Sequence, residues 1–174
     1  MAFSLEPCQN LCLRAHITSY YLFIYFDTET TDSGPADRLC QIAFKTEDGL
    51  TVNELFNPGM PISIDAMAIH HITNEMVRDR PPFRGSEAWK QLRDLVKLDS
   101  NIMVAHNAAF DIGFITREAK RSRLKKPANP VIDSLVLFRA WFPDAKSHSL
   151  ESLSAHLSIN GKIFHRATDD SRSV

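Results

Sequence analysis

Asp27 and Glu29 stand two residues apart at the polar end of the most hydrophobic run in the chain, Tyr20 to Phe26 (YYLFIYF). If that run is a β-strand, alternation at period two puts both carboxylates on the same face. Two like charges so close do not both stay ionised unaided: they share a proton and titrate as a pair, or they hold a divalent cation. A solvated strand end looks the same in sequence, so the pair alone decides nothing. The reason to pursue it is cost, since a carboxylate taken out of water is heavily penalised unless a proton or a cation meets it.

Two further stretches hold candidate chemistry. In His106-Asn107-Ala108-Ala109-Phe110-Asp111, the aspartate falls in the first turn of a helix expected to follow a strand. An acid there is also favoured by the helix dipole alone, by about 0.3–1 kcal/mol. Near the end, His165-Arg166-Ala167-Thr168-Asp169-Asp170 supplies a histidine and two aspartates, which taken singly read as a helix start.

The elements that must position these residues follow from periodicity. Tyr20 to Asp27 reads as a central strand covered on both faces, Leu39 to Lys45 as a second strand, and TVNELF, after the Asp48-Gly49 hairpin signal, as a third. DAMAIHHI and TNEMV read as short helices, the second capped by Thr73. Ser86 to Leu98 is an amphipathic helix, NIMVAH a strand, Ala108 to Ser122 a helix, PVID a strand, and SLVLFRAWF and SLESLSAHL two further helices. An antiparallel meander followed by strands alternating with helices predicts one mixed α/β sheet with helices on both faces. Sites in such sheets form where strands end and helices begin, here at the ends of the first strand and of NIMVAH.

The conjunction in chain order is more specific than its parts: D-x-E at a strand end, H-N-x-x-F-D after a later strand, and H-x-x-x-x-D at the end. It resembles the DEDDh family of 3′-to-5′ exonucleases, the DnaQ-like group that contains the proofreading subunit of bacterial DNA polymerase III and exonuclease X. The resemblance runs from about Tyr20 to the C-terminus and includes FNPGMPISIDAMAIHHIT and VIDSLVLFRAWFP. It implies a ribonuclease-H-like mixed sheet, three antiparallel strands and then parallel ones, flanked by helices.

The resemblance also implies roles. Asp27, Glu29, Asp111 and Asp170 would be the metal ligands, Asp27 bridging both ions, with His165 as the general base toward the attacking water; the family spacing selects Asp170 over Asp169. The cofactors would be two divalent cations, Mg2+ or Mn2+, hard ions that take oxygen donors. Phosphodiester hydrolysis asks an enzyme to remove on the order of 20 kcal/mol of barrier. Two metals about 4 Å apart can do so by clamping the phosphate and stabilising both the attacking and the departing oxygen. An imidazole suits the base role because it titrates near neutral pH. Thr30, His70, Asn107 and Phe110 fall where similar enzymes contact the terminal nucleotide, and Phe110 reads equally as a core aromatic. His106 is assigned no role.

The expected reaction is stepwise release of nucleoside 5′-monophosphates from single-stranded or frayed 3′ ends, DNA favoured and RNA possible, with a DNA polymerase as a potential partner. The alternative is a non-catalytic nucleic-acid or polymerase-binding module on the same fold. A ribonuclease-H-type endonuclease is disfavoured by the H-x-x-x-x-D ending.

Bulk properties fit this frame. The 174 residues, 44% hydrophobic and 24% charged, describe a globular chain, and a formal charge of −1 means that any polyanion must be met by a local patch or by metal ions. The dense basic run, Arg117 to Lys126, reads either as a phosphate rail or as a solvated helix end. Three cysteines form neither a disulfide framework nor a zinc signature, and the longest apolar run is too short to span a membrane. The expectation is a cytoplasmic protein with an N-terminal extension over residues 1–19 and an exonuclease domain over 20–174.

Three positions depart from the family pattern. Asp32 stands where relatives commonly have glycine, which puts the backbone at that turn in question, and His71 stands where relatives often have glycine, so that His70 is taken as the functional histidine of the pair. Val174 follows closely on Asp170, whereas in relatives the last carboxylate rides on a longer helix. The expectation is therefore a domain truncated at its C-terminal helix, with the His165 to Asp170 segment poorly ordered unless metal, substrate or a partner fixes it.

Overall fold

The computed structural model describes residues 21–158. Five strands form one sheet in the order β3-β2-β1-β4-β5. β1 (Phe23–Thr30), β2 (Leu39–Thr46) and β3 (Thr51–Leu55) make the antiparallel meander, and β4 (Ile102–Ala105) and β5 (Val131–Asp133) add parallel strands on the other side of β1. The expected mixed sheet flanked by helices is the observed one, with β1 at its centre.

β1 begins and ends three residues later than the apolar run suggests. Its polar half, Asp27 to Thr30, stays in the strand because β2 supplies a backbone partner for each residue, with a register shift between Glu29 and Thr30. Burial alternates along β1, so among the described residues it is covered on one face more than the other, not on both as the unbroken hydrophobicity suggests.

The covered face carries Ile24 and Phe26 with Ile42, Phe44 and Met103. Against it pack α3 (Glu87–Leu95), through Ala88, Trp89 and Leu92, and α4 (Ala108–Arg121), through Phe114, Ile115 and Ala119. Each is an amphipathic helix whose apolar stripe meets the sheet, and burying each large side chain of this kind contributes roughly 1.5–3 kcal/mol. A one-turn 3-10 segment, Phe83–Gly85, adds Phe83 beneath Trp89.

A smaller cluster of Cys40, Ile62, Ala66, Ile72 and Val77 seats α1 (Ile64–His70) and α2 (Asn74–Val77) beside Leu55. Leu55 pairs with Gln41, which pairs with Glu29, so this cluster lies on the face that carries Glu29. Ser63 caps α1, and Thr73 caps α2 in a reciprocal arrangement with Met76. α5 (Ser134–Trp141) and α6 (Leu150–His156) complete the described elements, none of which is a helix long and apolar enough to cross a membrane.

Candidate active site

β4 pairs with β1 at Phe23, Ile24 and Tyr25, stays paired with β5 through Ala105, and ends there. β1 continues past it, so a crevice opens beside Asp27 and Glu29 at the point where neighbouring strands diverge. The chain turns there through Asn107, whose φ of 67° is left-handed, and whose amide donates to Asp133 Oδ1 at 3.0 Å. The same oxygen accepts from the Leu135 amide and caps α5. The turn delivers the first turn of α4, and with it Asp111, against β1.

Thr28 Oγ1 donates to Asp111 Oδ1 at 2.6 Å, and Asp111 is only 3% exposed. Asp27 and Glu29 alternate with Thr28 along the strand, so the hydroxyl that holds Asp111 and the two other acids emerge from consecutive residues. Their charges interact. Burial pushes the Glu29 carboxyl up to about 7, and the charges of Asp27 and Asp111 push the same way. Burial likewise raises Asp111 to about 7, with Asp27 adding to it and the Thr28 hydroxyl opposing. Two carboxyls are thus poised to hold protons at neutral pH, as a crowded, partly desolvated acid cluster requires.

Among the described residues, no set of three or more His, Cys, Asp or Glu side chains is gathered closely enough to enclose a metal ion. What the site offers is a set of hard oxygen donors, of which the Glu29 and Asp111 carboxyls have their ionisation suppressed by burial and by neighbouring charge. That donor chemistry fits a hard divalent cation, which relieves both penalties at once. Cys40 is no competing soft ligand: burial, with the Glu29 charge beside it, drives its thiol up to about 12.

The residues expected at the terminal nucleotide are arranged around the same strand end. Thr30 is buried, and its carbonyl accepts from His70 Nε2 at 3.1 Å. His70 Nδ1 accepts from the Ile72 amide at 3.0 Å, which fixes the neutral tautomer with the proton on Nε2. Burial holds His70 below the usual imidazole range. Both ring nitrogens are therefore engaged by backbone, and the ring ties α1 to the end of β1. Asn107 is exposed at the crevice, and its side chain makes no cap for α4. Phe110 is half-buried and packed on Phe114 at a ring separation of 4.9 Å. His165 and Asp170 lie outside the described residues.

Asp32, the residue in a glycine position, is not left-handed. It accepts from the Ser33 amide at 2.7 Å and stays exposed. Hydrogen bonds from Ser33 and then Ser63 hold its carboxyl below the usual range. His71 is left-handed, with φ 61°, and forms the C-cap of α1.

Thr28 is the residue that sequence reasoning passes over, although its place between the two acids was visible. Glu118 is another, two helical turns after Asp111. It is 1% exposed and paired with Arg38 and Arg121.

A family model described as Exonuclease (RNase_T) matches residues 24–174. The chain is 35% identical over 159 residues to the PolC-type DNA polymerase III of Lacticaseibacillus paracasei, covering 87% of this chain and 11% of that protein. To the PolC-type DNA polymerase III of Bacillus cereus it is 34% identical over 157 residues, with the same two coverages. The chain thus spans about a tenth of the length of the curated relatives it matches. Among solved structures, exonuclease X in complex with 5′ overhanging duplex DNA superposes with a TM-score of 0.56 at 28% identity, over 80% of this chain and 75% of that one. The zinc-bound E. coli exonuclease I–ssDNA complex superposes with a TM-score of 0.72 at 21% identity, over 84% and 37%, a likeness of fold.

Proposed function

The chain belongs to the RNase_T exonuclease family, and from that premise we propose that it is a DEDDh-type 3′-to-5′ exonuclease that releases nucleoside 5′-monophosphates, with DNA as the favoured substrate. The observation that carries the reading is the group of three mutually repelling carboxylates, Asp27, Glu29 and Asp111, at the β1–β4 crevice, two of them raised to about 7. A cluster of that kind is unfavourable without cations and useful with them. Two divalent cations, Mg2+ or Mn2+, would supply electrostatic stabilisation of the charge that builds on the phosphate and on the leaving oxygen.

The residues of this chain do the rest. Asp27, Glu29 and Asp111, joined by Asp170, would hold the ions, and Thr28 fixes the angle at which Asp111 presents its carboxylate. His165 would take the proton from the attacking water as it approaches the phosphorus. Thr30, tied by His70, would offer its backbone to the terminal nucleotide, with Asn107 contributing a hydrogen bond and the half-buried Phe110 ring a surface for a base. The likeness to PolC-type DNA polymerases supports action beside a DNA polymerase.

The test uses 5′-labelled and 3′-labelled oligonucleotides with Mn2+, comparing the wild type with Asp27→Ala. The expected result is stepwise shortening from the 3′ end, reduced in the variant by about 10²-fold or more, the scale on which loss of one electrostatic stabiliser falls. Binding without cleavage in both proteins would favour a docking module instead.

A further inference from the structure

We propose that Glu118 is a positioning residue for this site: by pairing with Arg38 and Arg121 it fixes α4, and with it Asp111, relative to the end of β1 that carries Asp27 and Glu29. The inference rests on the exonuclease reading above and adds to it a residue outside the motif.

Asp111 and Glu118 are seven residues apart on one helix, so they lie on the same side of α4, about 10.5 Å apart along its axis. Each is bonded to the same short stretch of chain. Asp111 is held by Thr28 at 2.6 Å, and Glu118 takes a fork from Arg38, Nε to Oε1 at 2.5 Å and Nη2 to Oε2 at 2.9 Å. Added to the packing of Phe114, Ile115 and Ala119 on the sheet, these two polar attachments fix the rotation of α4 about its axis, which apolar packing constrains less sharply.

The stretch between the two attachments is closed on itself. The Thr31 amide donates to the Arg38 carbonyl at 2.9 Å, and the Arg38 amide donates to Thr31 Oγ1 at 3.0 Å. Thr31 Oγ1 donates to Asp37 Oδ1 at 2.8 Å, and the Gly34 amide donates to Asp37 Oδ2 at 2.8 Å. Arg121 completes the clamp, donating to Glu118 Oε1 at 3.0 Å and to the carbonyls of Asp37 and Ala36 at 3.0 and 3.1 Å. The β1–β2 turn therefore moves as a unit with Thr31, two residues from Glu29. A buried carboxylate with both oxygens committed to arginines specifies one register, and a pair of this kind suits that role better than it suits net stability.

The experiment measures Glu118→Gln and Arg121→Gln against the wild type. Thermal unfolding in chelator gives metal-free stability, and the Mn2+ concentration at half of the metal-induced rise in Tm gives binding without reference to activity. Cleavage of a 3′-ended oligonucleotide then separates the Mn2+ requirement from kcat at saturating metal. The expected result is a Mn2+ midpoint raised about 10- to 100-fold in Glu118→Gln, the range for loss of a group that orients a ligand, and raised less in Arg121→Gln, with most of kcat recovered at high Mn2+. Lower Tm in chelator with an unmoved Mn2+ midpoint would overturn the proposal, leaving Glu118 a stability residue. Should Glu118→Gln fail to fold, Arg121→Gln decides by the same criterion. A wild type whose Tm does not respond to Mn2+ overturns the exonuclease reading and this inference together, whereas a responsive wild type with unshifted variants overturns this inference alone.

Discussion

At the scale of single residues, the acids of the crevice make stability depend on pH in a direction opposite to that of ordinary ion-paired carboxylates. Glu29 and Asp111 are raised to about 7 in the folded protein by burial, then by their charged neighbours, while unfolded carboxyls titrate near 4. Between those values the folded state binds more protons than the unfolded one, so stability falls as the pH rises. The contribution is fully present below about pH 4 and lost above about pH 7. His70 works the other way: burial lowers its imidazole, so stability is gained as the pH rises through the unfolded value of about 6.5. A variant isolates the acids. Asp111→Asn keeps an oxygen for the Thr28 hydroxyl but carries no titratable proton, so in chelator its Tm should rise relative to wild type from pH 5 to pH 8, by about 5–10 °C. Mn2+ at pH 8 should raise the wild-type Tm and leave the variant's nearly unchanged. Scanning fluorimetry at the two pH values checks this, and an equal wild-type-to-variant difference at both would refute it.

At the scale of elements, the chain shows which features local sequence encodes. The meander was legible because Asp48-Gly49 and the apolar run of Leu39 to Lys45 are local signals, and the hairpin forms with Gly49 at φ 99°. α4 was legible from its apolar stripe, and Thr73 from its capping chemistry. The polar half of β1 was less so, because Asp27 and Glu29 are poor strand formers, and its extension is secured by pairing with β2. Within the site, period two gives the common face of Asp27 and Glu29, but nothing local says that Asp111 will meet Thr28; that proximity came from the family likeness. The clamp of Glu118 was invisible for the same reason, since its partner Arg38 is distant in sequence. His71 is the element-scale position where residue and backbone disagree, a β-carbon at φ 61° in the C-cap of α1, with its amide bonded to the Met67 carbonyl. His71→Gly should remove that penalty and stabilise the fold by about 0.5–1 kcal/mol, a rise of roughly 2–4 °C in Tm. A fall in Tm would show that the imidazole itself contributes more than the backbone loses. Because His70 next to it locks Thr30, the same substitution should leave cleavage of a 3′-ended oligonucleotide within about twofold.

At the scale of the whole molecule, the question is how a chain with a formal charge of −1 holds a polyanion. The basic run at and beyond the end of α4 is less available than its composition suggests. Arg117 lies over the Phe114 ring at 4.0 Å, and Arg121 is spent on Glu118 and on carbonyls of the β1–β2 turn. Lys120, Arg123, Lys125 and Lys126 stay exposed, a modest set beside three crevice acids that repel phosphate. Counterion release by so few cations yields weak, salt-sensitive binding. Divalent ions reverse the sign of the crevice, so affinity for a 3′ end should depend on metal more than on the basic run. Ca2+ is a suitable probe because its larger radius and irregular coordination let it bridge carboxylates and phosphate while supporting hydrolysis poorly. In fluorescence anisotropy with a labelled single-stranded oligonucleotide, affinity should be about 10-fold or more tighter in millimolar Ca2+ than in chelator, a difference of about 1.4 kcal/mol or more. Asp27→Ala and Asp111→Asn should each bring the two conditions together, because they remove donors for the bridging ion. Replacing Lys125 and Lys126 by glutamine should weaken binding equally in both. If affinity in chelator already matches that in Ca2+, or if only the lysine variant weakens it, then the acids are not where the strand end sits.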